Sequence, residues 1–370
     1  MSREPVLSQR ALNRATLARQ MLLDRHELPA AEAITRLVGL QSQAPNAPYV
    51  GLWSRLTGFR PGELAGLITS RQAVRIHVMR GTIHLVTAAD AVTLRPLTQT
   101  VITRGFNSQA FARNIEGIDR AELLRVGQEL LAGQPRTRAA LAPLLAARWP
   151  DHDPTSMAYA ITYLFPVVQV PPRGLWERTG PAAWAPAEDW LGRAFDPDPS
   201  PDQVVLRYLA GFGPATVNDV QAWSGLTRLA EVAERLRPGL RVFRGPGGAE
   251  MLDLPDAPRP DPDTPAPPRF LPEYDNLLLS HADRDRVVPA GRSVPLLPGN
   301  GARAGTFLLD GCYRGDWRIT RDKEAATLDI EPFAPMPAAE RDALIEEGGR
   351  LLGFAAAAAS SHDVRLLTAR

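Results

Sequence analysis

The chain has 370 residues, 44% of them hydrophobic and 22% charged, and its formal net charge is +1. This composition is typical of a globular protein with two or three domains and excludes a disordered or strongly basic chain. Cys312 is the single cysteine, which excludes a disulfide framework, and the six histidines show no metal-ligand spacing. We therefore expect no metal and no cofactor. No signal peptide and no membrane span is evident, so we expect a cytoplasmic protein.

The N-terminal part is predicted to be helical up to a short β element. A first helix covers residues 8–23, with Ser8 as a suitable N-cap. A second helix begins after Pro29, and two short helices follow. Residues 74–86 are then rich in β-branched residues and predict one or two strands, interrupted at Gly81. Helices followed by a small β element are typical of a winged helix.

The middle of the chain predicts more helices and a second, cleaner copy of this order. Four helices are expected between residues 88 and 165, followed by a strand from residue 167. Three helices are then expected between residues 202 and 236. A hairpin with a Gly-Pro-Gly-Gly tip is predicted for residues 240–254. This order again indicates a winged helix.

A segment with six prolines, residues 256–268, is predicted to be an extended linker. Strands are expected after it at residues 270–279 and from residue 306 to residue 332, with a closing helix from Ala338. The sequence thus predicts an α+β protein with tandem winged-helix units and a C-terminal part like a β-barrel. The predicted domains are residues 1–165, 166–255 and 269–370.

Two glutamines stand one residue apart between a predicted helix and a turn stiffened by prolines. Gln41 and Gln43 would point the same way in an extended segment, because side chains alternate along it. Each amide carries an acceptor oxygen and two donor hydrogens, so the pair can hold a water molecule without adding charge. The alternative is a polar helix end whose amides bond free carbonyls.

Three blocks in this order resemble the tandem winged-helix DNA glycosylases of the AlkZ and AlkX (YcaQ-like) type. They are Leu37-Val-Gly-Leu-Gln-Ser-Gln-Ala-Pro with Pro48-Tyr-Val, Met79-Arg-Gly-Thr-Ile-His-Leu-Val, and Leu271-Pro-Glu-Tyr-Asp-Asn-Leu-Leu-Leu-Ser-His-Ala-Asp-Arg. The resemblance implies a C-shaped protein around duplex DNA that removes N-alkylated purines and, in some members, unhooks interstrand crosslinks or gives antibiotic producers self-resistance. It implies a monomer whose partner is double-stranded DNA with alkylated or crosslinked purines.

The resemblance also implies the catalytic residues. The Gln-aliphatic-Gln motif of the AlkZ-like branch falls on Gln41 and Gln43, and Ser42 departs from its aliphatic middle residue. Because Ser42 would face away from the amide pair, we expect it to affect packing more than chemistry. An alkylated purine is already cationic, so an amide pair that orients water suffices for base release. Lys323, the only lysine, lies far along the chain in a predicted β region, which argues against a strand-cleaving lyase.

Further DNA-binding residues are predicted in three places, each with a structural alternative. Residues of the first β element can contact the lesion strand or can be hydrogen-bonded core residues: Arg80, Thr82 and His84. A polar cluster follows in the third block: Tyr274, Asn276, His281 and Arg284. Asp275 beside it is expected to form a structural ion pair with Arg284. A turn with Asn300 and Arg303 near its tip can probe the minor groove or be an ordinary solvated turn.

Two other functions are compatible with the sequence. Winged helices mostly serve DNA binding or regulation without catalysis. A protein that sequesters a genotoxic small molecule would bind the free compound and would need no DNA. Base release from alkylated DNA distinguishes the glycosylase from both.

Overall fold

The computed structural model describes residues 5–294, 304–322 and 324–369. The α-helices in this part are α1 Gln9–Arg19, α2 Ala30–Arg36, α3 Ala47–Arg55, α4 Pro61–Thr69, α5 Ala88–Leu97, α6 Gln99–Asn107, α7 Ala110–Arg113, α8 Arg120–Leu131, α9 Arg138–Arg148, α10 Pro154–Leu164, α11 Ala187–Leu191, α12 Pro201–Phe212, α13 Val217–Ser224, α14 Leu229–Leu236 and α15 Ala338–Ala355. The strands are β1 Leu40–Gln41, β2 Ala73–His77, β3 Ile83–Thr87, β4 Arg136–Thr137, β5 Val167–Val170, β6 Ala183–Pro186, β7 Arg241–Arg244, β8 Glu250–Asp253, β9 Arg269–Leu271, β10 Gly305–Leu309, β11 Cys312–Asp322, β12 Ala325–Pro332 and β13 Ser361–Leu366.

A six-stranded sheet in the order β1-β3-β2-β5-β6-β4 forms the centre of the N-terminal half. The predicted break at Gly81 is confirmed, because β2 and β3 flank a short 3-10 turn there. Gly81 has φ +68°, and a Cβ on it would lie 2.6 Å from the hydroxyl of Tyr163, so only glycine fits. β2 and β3 are inner strands, since β5 pairs with β2 and β1 pairs with β3.

The sheet is covered by two groups of helices. Val168 of β5 belongs to a core cluster that includes Tyr208 and Trp223 of α12 and α13. Its neighbour Val167 belongs to a second cluster with Ile161 of α10. Adjacent residues of a strand point to opposite faces, so β5 contributes to both cores. Burial on both faces extends to the inner strands β2 and β3, where every residue but Thr87 is buried.

The three helices predicted between residues 202 and 236 are present as α12–α14, and β7 and β8 follow them as an antiparallel hairpin. Thr216 and Asp219 form a reciprocal capping box at the start of α13, which fixes where that helix begins. The elements therefore occur in the predicted order. Their assignment as a winged helix stays a prediction.

A five-stranded sheet in the order β13-β12-β11-β10-β9 forms the C-terminal part, and α15 packs against it. Alternate residues of β12 are buried, among them Leu328 and Ile330, which is the pattern of a sheet with one covered face. Within the described residues the edge strands β13 and β9 do not pair, so no closed barrel forms. The described strands of this part form an open sheet and not the expected barrel-like part, because the edge strand β13 pairs with β12 in parallel.

The predicted strand at residues 270–279 is mostly wrong. β9 ends at Leu271, and Tyr274 has φ +62°, which an extended strand does not allow. Asp275 then caps a 3-10 turn by accepting a hydrogen bond from the backbone N–H of Leu277 at 3.0 Å. A local side-chain bond from aspartate competes with strand pairing here.

The proline-rich segment predicted as a linker lies along helix α1. Arg10 and Arg14 of α1 donate to the carbonyls of Pro262 (2.8 Å) and Thr264 (2.6 Å). Arg19 of α1 forms a buried two-pronged ion pair with Asp253 of β8, at 2.6 and 2.8 Å. Helix α1 therefore holds distant parts of the chain together.

Helix α1 also contacts the C-terminal part of the chain. Asn13 donates to the carbonyls of Arg286 at 2.7 Å and Gly311 at 2.9 Å. Arg14 and Arg10 pair with Asp310 in the turn between β10 and β11. Among the described residues, no helix is long and apolar enough to span a membrane.

Candidate active site

The backbone around the two glutamines leaves the helix sharply and becomes extended. Helix α2 ends at Arg36, and Val38 and Gly39 turn the chain with φ +54° and +92°. A Cβ at residue 39 would lie 2.6 Å from Cγ1 of Val86, so the chain needs glycine there. β1 then pairs with β3, with Gln41 opposite His84. The amide pair is therefore positioned by the edge strand of the large sheet.

Gln41 and Gln43 are in contact. Nε2 of Gln41 donates to Oε1 of Gln43 at 2.6 Å, which confirms the expectation that the two amides share one direction. Oε1 of Gln41 accepts from Nη2 of Arg80 at 2.8 Å, so both ends of the Gln41 amide are fixed. Gln41 is buried, whereas Gln43 is partly exposed and lines a cavity.

Arg80 connects four separate parts of the chain at this point. Its Nη1 donates to the carbonyl of Trp223 at 2.6 Å, and its Nη2 also donates to Oδ1 of Asn276 at 3.2 Å. Nδ2 of Asn276 in turn donates to the carbonyl of Gly39 at 3.3 Å. Burial lowers the pKa of Arg80 to about 10, with a smaller effect from Arg284, so Arg80 remains a cation at neutral pH. Arg80 and Asn276, both predicted site residues, thus meet at the amide pair.

Thr82 and His84 lie beside this network and are bonded within the protein. Nδ1 of His84 lies 3.1 Å from the carbonyl of Thr82, and the hydroxyl of Thr82 donates to the carbonyl of Met79 at 3.1 Å. His84 is fully buried. Burial and then the charge of Arg80 lower the pKa of His84 to about 3, so the imidazole is neutral at physiological pH. His84 therefore supplies no positive charge for a phosphate.

Ser42 between the two glutamines is buried and bonded to Arg75. Nε of Arg75 donates to the Ser42 hydroxyl at 3.0 Å, and Nη2 of Arg75 donates to the Ser42 carbonyl at 2.7 Å. Sequence reasoning missed this contact. The signal was a serine in a buried segment together with an arginine in a β-branched strand, both of which need a polar partner.

The remaining predicted site residues differ in how deeply they are buried. His281 is buried, and its Nε2 lies 3.1 Å from the carbonyl of Phe212. Tyr274 is partly buried, and Arg284 is exposed. Asn300 and Arg303 lie outside the described residues.

The expected ion pair between Asp275 and Arg284 is wrong. Asp275 pairs with Arg55 of α3 through two hydrogen bonds of 2.8 Å each. Both side chains are buried, so the two parallel hydrogen bonds form away from water, whereas Arg284 is exposed. This pair fixes the turn that carries Asn276 to the amide pair.

A cavity of about 770 Å³ opens beside Gln43. Sequence reasoning missed most of its wall, because the wall combines β2, β3, β5, β6, α9 and α10, which meet only in the fold. Its polar and aromatic lining residues are Gln43, Arg75, His77, Arg80, Thr82, Gln109, Thr137, Arg138, Tyr159, Tyr163, Gln169, Arg173 and Trp184. The described residues contain no cluster of three His, Cys, Asp or Glu that would hold a metal ion.

Comparison with known proteins identifies relatives of this chain. The family described as DNA glycosylase AlkZ-like matches residues 34–354. The structure is similar to that of the Streptomyces sahachiroi DNA glycosylase AlkZ, with a TM-score of 0.74 and 19% sequence identity over 98% of this chain and 100% of that chain. A comparison with curated proteins gives no match.

Proposed function

Because the chain belongs to the AlkZ-like DNA glycosylase family, and is therefore a DNA glycosylase acting in DNA repair, we propose that its substrates are N-alkylated purines. In this proposal Gln41 and Gln43 position the water that attacks the sugar. The observation that carries it is the contact between the two amides at the edge of a cavity, with the Gln41 amide fixed by Arg80.

The amide pair retains hydrogen-bonding groups for a water molecule. Oε1 of Gln43 accepts from Gln41 and has a second lone pair that can accept from water. Within the described residues, Nε2 of Gln43 makes no hydrogen bond, and Gln43 lines the cavity. A water molecule held by Gln43 would be oriented by a dipole that Gln41 and Arg80 keep in place. Such preorganised dipoles stabilise the positive charge that develops on the sugar.

The described wall of the cavity beside Gln43 offers no general acid, which decides the lesions that suit the site. No Asp or Glu is among the lining residues of the described cavity, and His84 is neutral. A site without a general acid can release only a base that leaves readily. A purine alkylated at N7 or N3 carries a positive charge and meets this requirement, whereas a normal purine or uracil does not. Selectivity for cationic lesions thus follows from the neutral amides.

We extend the proposal to purines in interstrand crosslinks. The cavity beside Gln43 is an open recess, so the sugar of a nucleotide can approach the amides without the base entering a closed pocket. A bulky crosslink that cannot be extruded from the duplex is compatible with this arrangement. In a producer of a crosslinking antibiotic, the enzyme would serve self-resistance as a cytoplasmic monomer with a C-shaped, tandem winged-helix fold around DNA.

The test is base release from a duplex that contains one N7-methylguanine. Wild type, Gln41→Ala and Gln43→Ala are compared by alkali cleavage and gel electrophoresis, with Gln128→Ala on the exposed side of α8 as the matched control. We expect base release by wild type and Gln128→Ala, and a loss of about 10²–10³-fold in the variants at positions 41 and 43. Efficient release of uracil, or full activity of both site variants, would contradict the proposal.

Crosslink unhooking is tested separately. A duplex crosslinked by a nitrogen mustard is incubated with wild type and Gln43→Ala and separated on a denaturing gel. Unhooking by wild type alone supports the extension. Release of N7-methylguanine without any unhooking limits the enzyme to monoadducts.

A further inference from the structure

Four arginines line the cavity beside Gln43, and no acidic residue accompanies them in the part of the chain that the structure describes. Arg75, Arg80, Arg138 and Arg173 are on its wall, and none of the lining residues is Asp or Glu. In the described part of the chain, their hydrogen bonds go to carbonyl, amide and hydroxyl oxygens. No carboxylate therefore neutralises the charge on this wall.

Two deeply buried arginines outside the cavity are neutralised by a carboxylate. Arg19 and Arg55 are each paired with an aspartate, Asp253 and Asp275 respectively. Arg75 is as deeply buried, yet its Nη1 has no hydrogen-bond partner among the described residues. The hydroxyl and carbonyl of Ser42 accept from its other nitrogens but carry no charge, so an anionic ligand would supply the missing countercharge. Burial, and then repulsion from Arg173, lower the pKa of Arg75 to about 9.

Arg138 is held in place by aromatic rings. Its guanidinium carbon lies 4.4 Å from the ring centre of Tyr159 and 5.3 Å from that of Trp184. Its Nε donates to the hydroxyl of Thr162 at 2.6 Å. These contacts orient the guanidinium and leave its two terminal nitrogens for a ligand. Two parallel N–H groups match a phosphate geometrically.

We propose that this cavity binds the phosphate backbone of a DNA strand next to the lesion. The proposal rests on the glycosylase function and adds the group that the cavity takes. A cationic alkylpurine is excluded as its occupant, because four like charges would repel it. A volume of about 770 Å³ exceeds that of one phosphate and leaves room for adjoining sugar. A strand held there passes Gln43, so the same contacts bring a sugar to the amide pair.

The test measures how DNA binding depends on salt. Affinity for an undamaged fluorescent duplex is measured by anisotropy over a series of salt concentrations, for wild type and for the double variant Arg138→Gln/Arg173→Gln. Each lost phosphate contact reduces the slope of log K against log salt by about 0.9, so we expect a decrease of about 1–2.

A matched control loses the same two charges elsewhere. Arg125→Gln/Arg365→Gln removes two exposed arginines outside the cavity, and we expect it to keep the wild-type slope. A wild-type slope for the cavity variant, or an equal decrease in the control, would overturn the proposal. Inorganic phosphate is also added at constant ionic strength, and the melting temperature of wild type is measured. If phosphate raises that temperature while both variants keep the wild-type salt slope, the site takes free phosphate and the proposal is wrong. Thermal melting confirms that the variants are folded.

Base release measured on the same preparations separates this inference from the proposed function. If wild type releases N7-methylguanine and the cavity variant keeps the wild-type salt slope, only the phosphate site is overturned. A reduced slope with no base release by wild type supports the phosphate site and refutes the proposed substrate.

Discussion

Replacing Ser42 by valine restores an aliphatic residue between the two glutamines, and we expect it to destabilise the protein. The hydroxyl accepts a hydrogen bond from Nε of Arg75 at 3.0 Å inside the protein. Nη1 of Arg75 has no partner among the described residues, so the variant leaves only Nη2, bonded to the Ser42 carbonyl at 2.7 Å. Ser42→Val thus adds a second unsatisfied donor to a buried cation.

The magnitude follows from two opposing terms. An unsatisfied buried donor costs about 1–3 kcal/mol, and more when the group is charged. Valine places two methyl groups where the hydroxyl was, and their burial returns about 1.6 kcal/mol at about 0.8 kcal/mol per carbon. We therefore expect the free energy of unfolding of Ser42→Val to fall by about 1–2 kcal/mol. Base release should stay close to wild type, since Ser42 points away from the amide pair.

Urea denaturation of a double-mutant cycle checks this expectation. The cycle compares wild type, Ser42→Val, Arg75→Met and the double variant, and we expect a coupling energy of about 1 kcal/mol. Base release from the N7-methylguanine duplex is measured on each variant. A Ser42→Val protein at least as stable as wild type, with no coupling to Arg75, would refute the reasoning.

Three further predictions concern stability and the amide pair. Burial lowers the pKa of His77, His84 and His281, so below their unfolded pKa of about 6.5 the unfolded chain binds protons that the folded protein does not. The free energy of unfolding, measured by urea titration, should therefore fall by roughly 5 kcal/mol between pH 7 and pH 5. Asp275→Asn should lower the free energy of unfolding by roughly 3 kcal/mol, because its buried arginine partner keeps its charge; an unchanged urea midpoint would contradict this. Arg80→Met should reduce base release about tenfold at saturating DNA, because about 1.5 kcal/mol of orientation of the Gln41 amide is lost, and Arg80→Lys should recover part of it.

Local signals in the sequence predicted the elements well where one residue decides the geometry. Ser8 accepts a hydrogen bond from the N–H of Ala11 at 3.1 Å, as expected of the N-cap of the first helix. Gly81 separates two strands, as the sequence predicts. The strand predicted beyond Leu271 failed, because a single aspartate side chain favoured a turn that hydrophobicity does not reveal.

The site could be predicted only in part, since its contacts join residues far apart in sequence. The spacing of Gln41 and Gln43 was sufficient to predict that their amides point together. No local pattern shows that Arg80 orients Gln41, or that Arg75 satisfies Ser42, because both arginines arrive through strand pairing. The cavity was missed for the same reason. Asp275 was paired with the wrong arginine because Arg55 lies 220 residues away.

Helix α1 has a consequence for the biosynthesis of this protein. It is translated before the aspartates that pair with its buried arginines: Asp253 follows Arg19 by 234 residues, and Asp310 follows Arg14 by 296 residues. At a ribosomal rate of about 5–20 residues per second, α1 waits about 10–60 s for these partners. A nascent chain therefore cannot complete its N-terminal half before its C-terminal sheet emerges. Fragments that end before residue 253 should require chaperones or aggregate, whereas the full chain should fold as one unit after release.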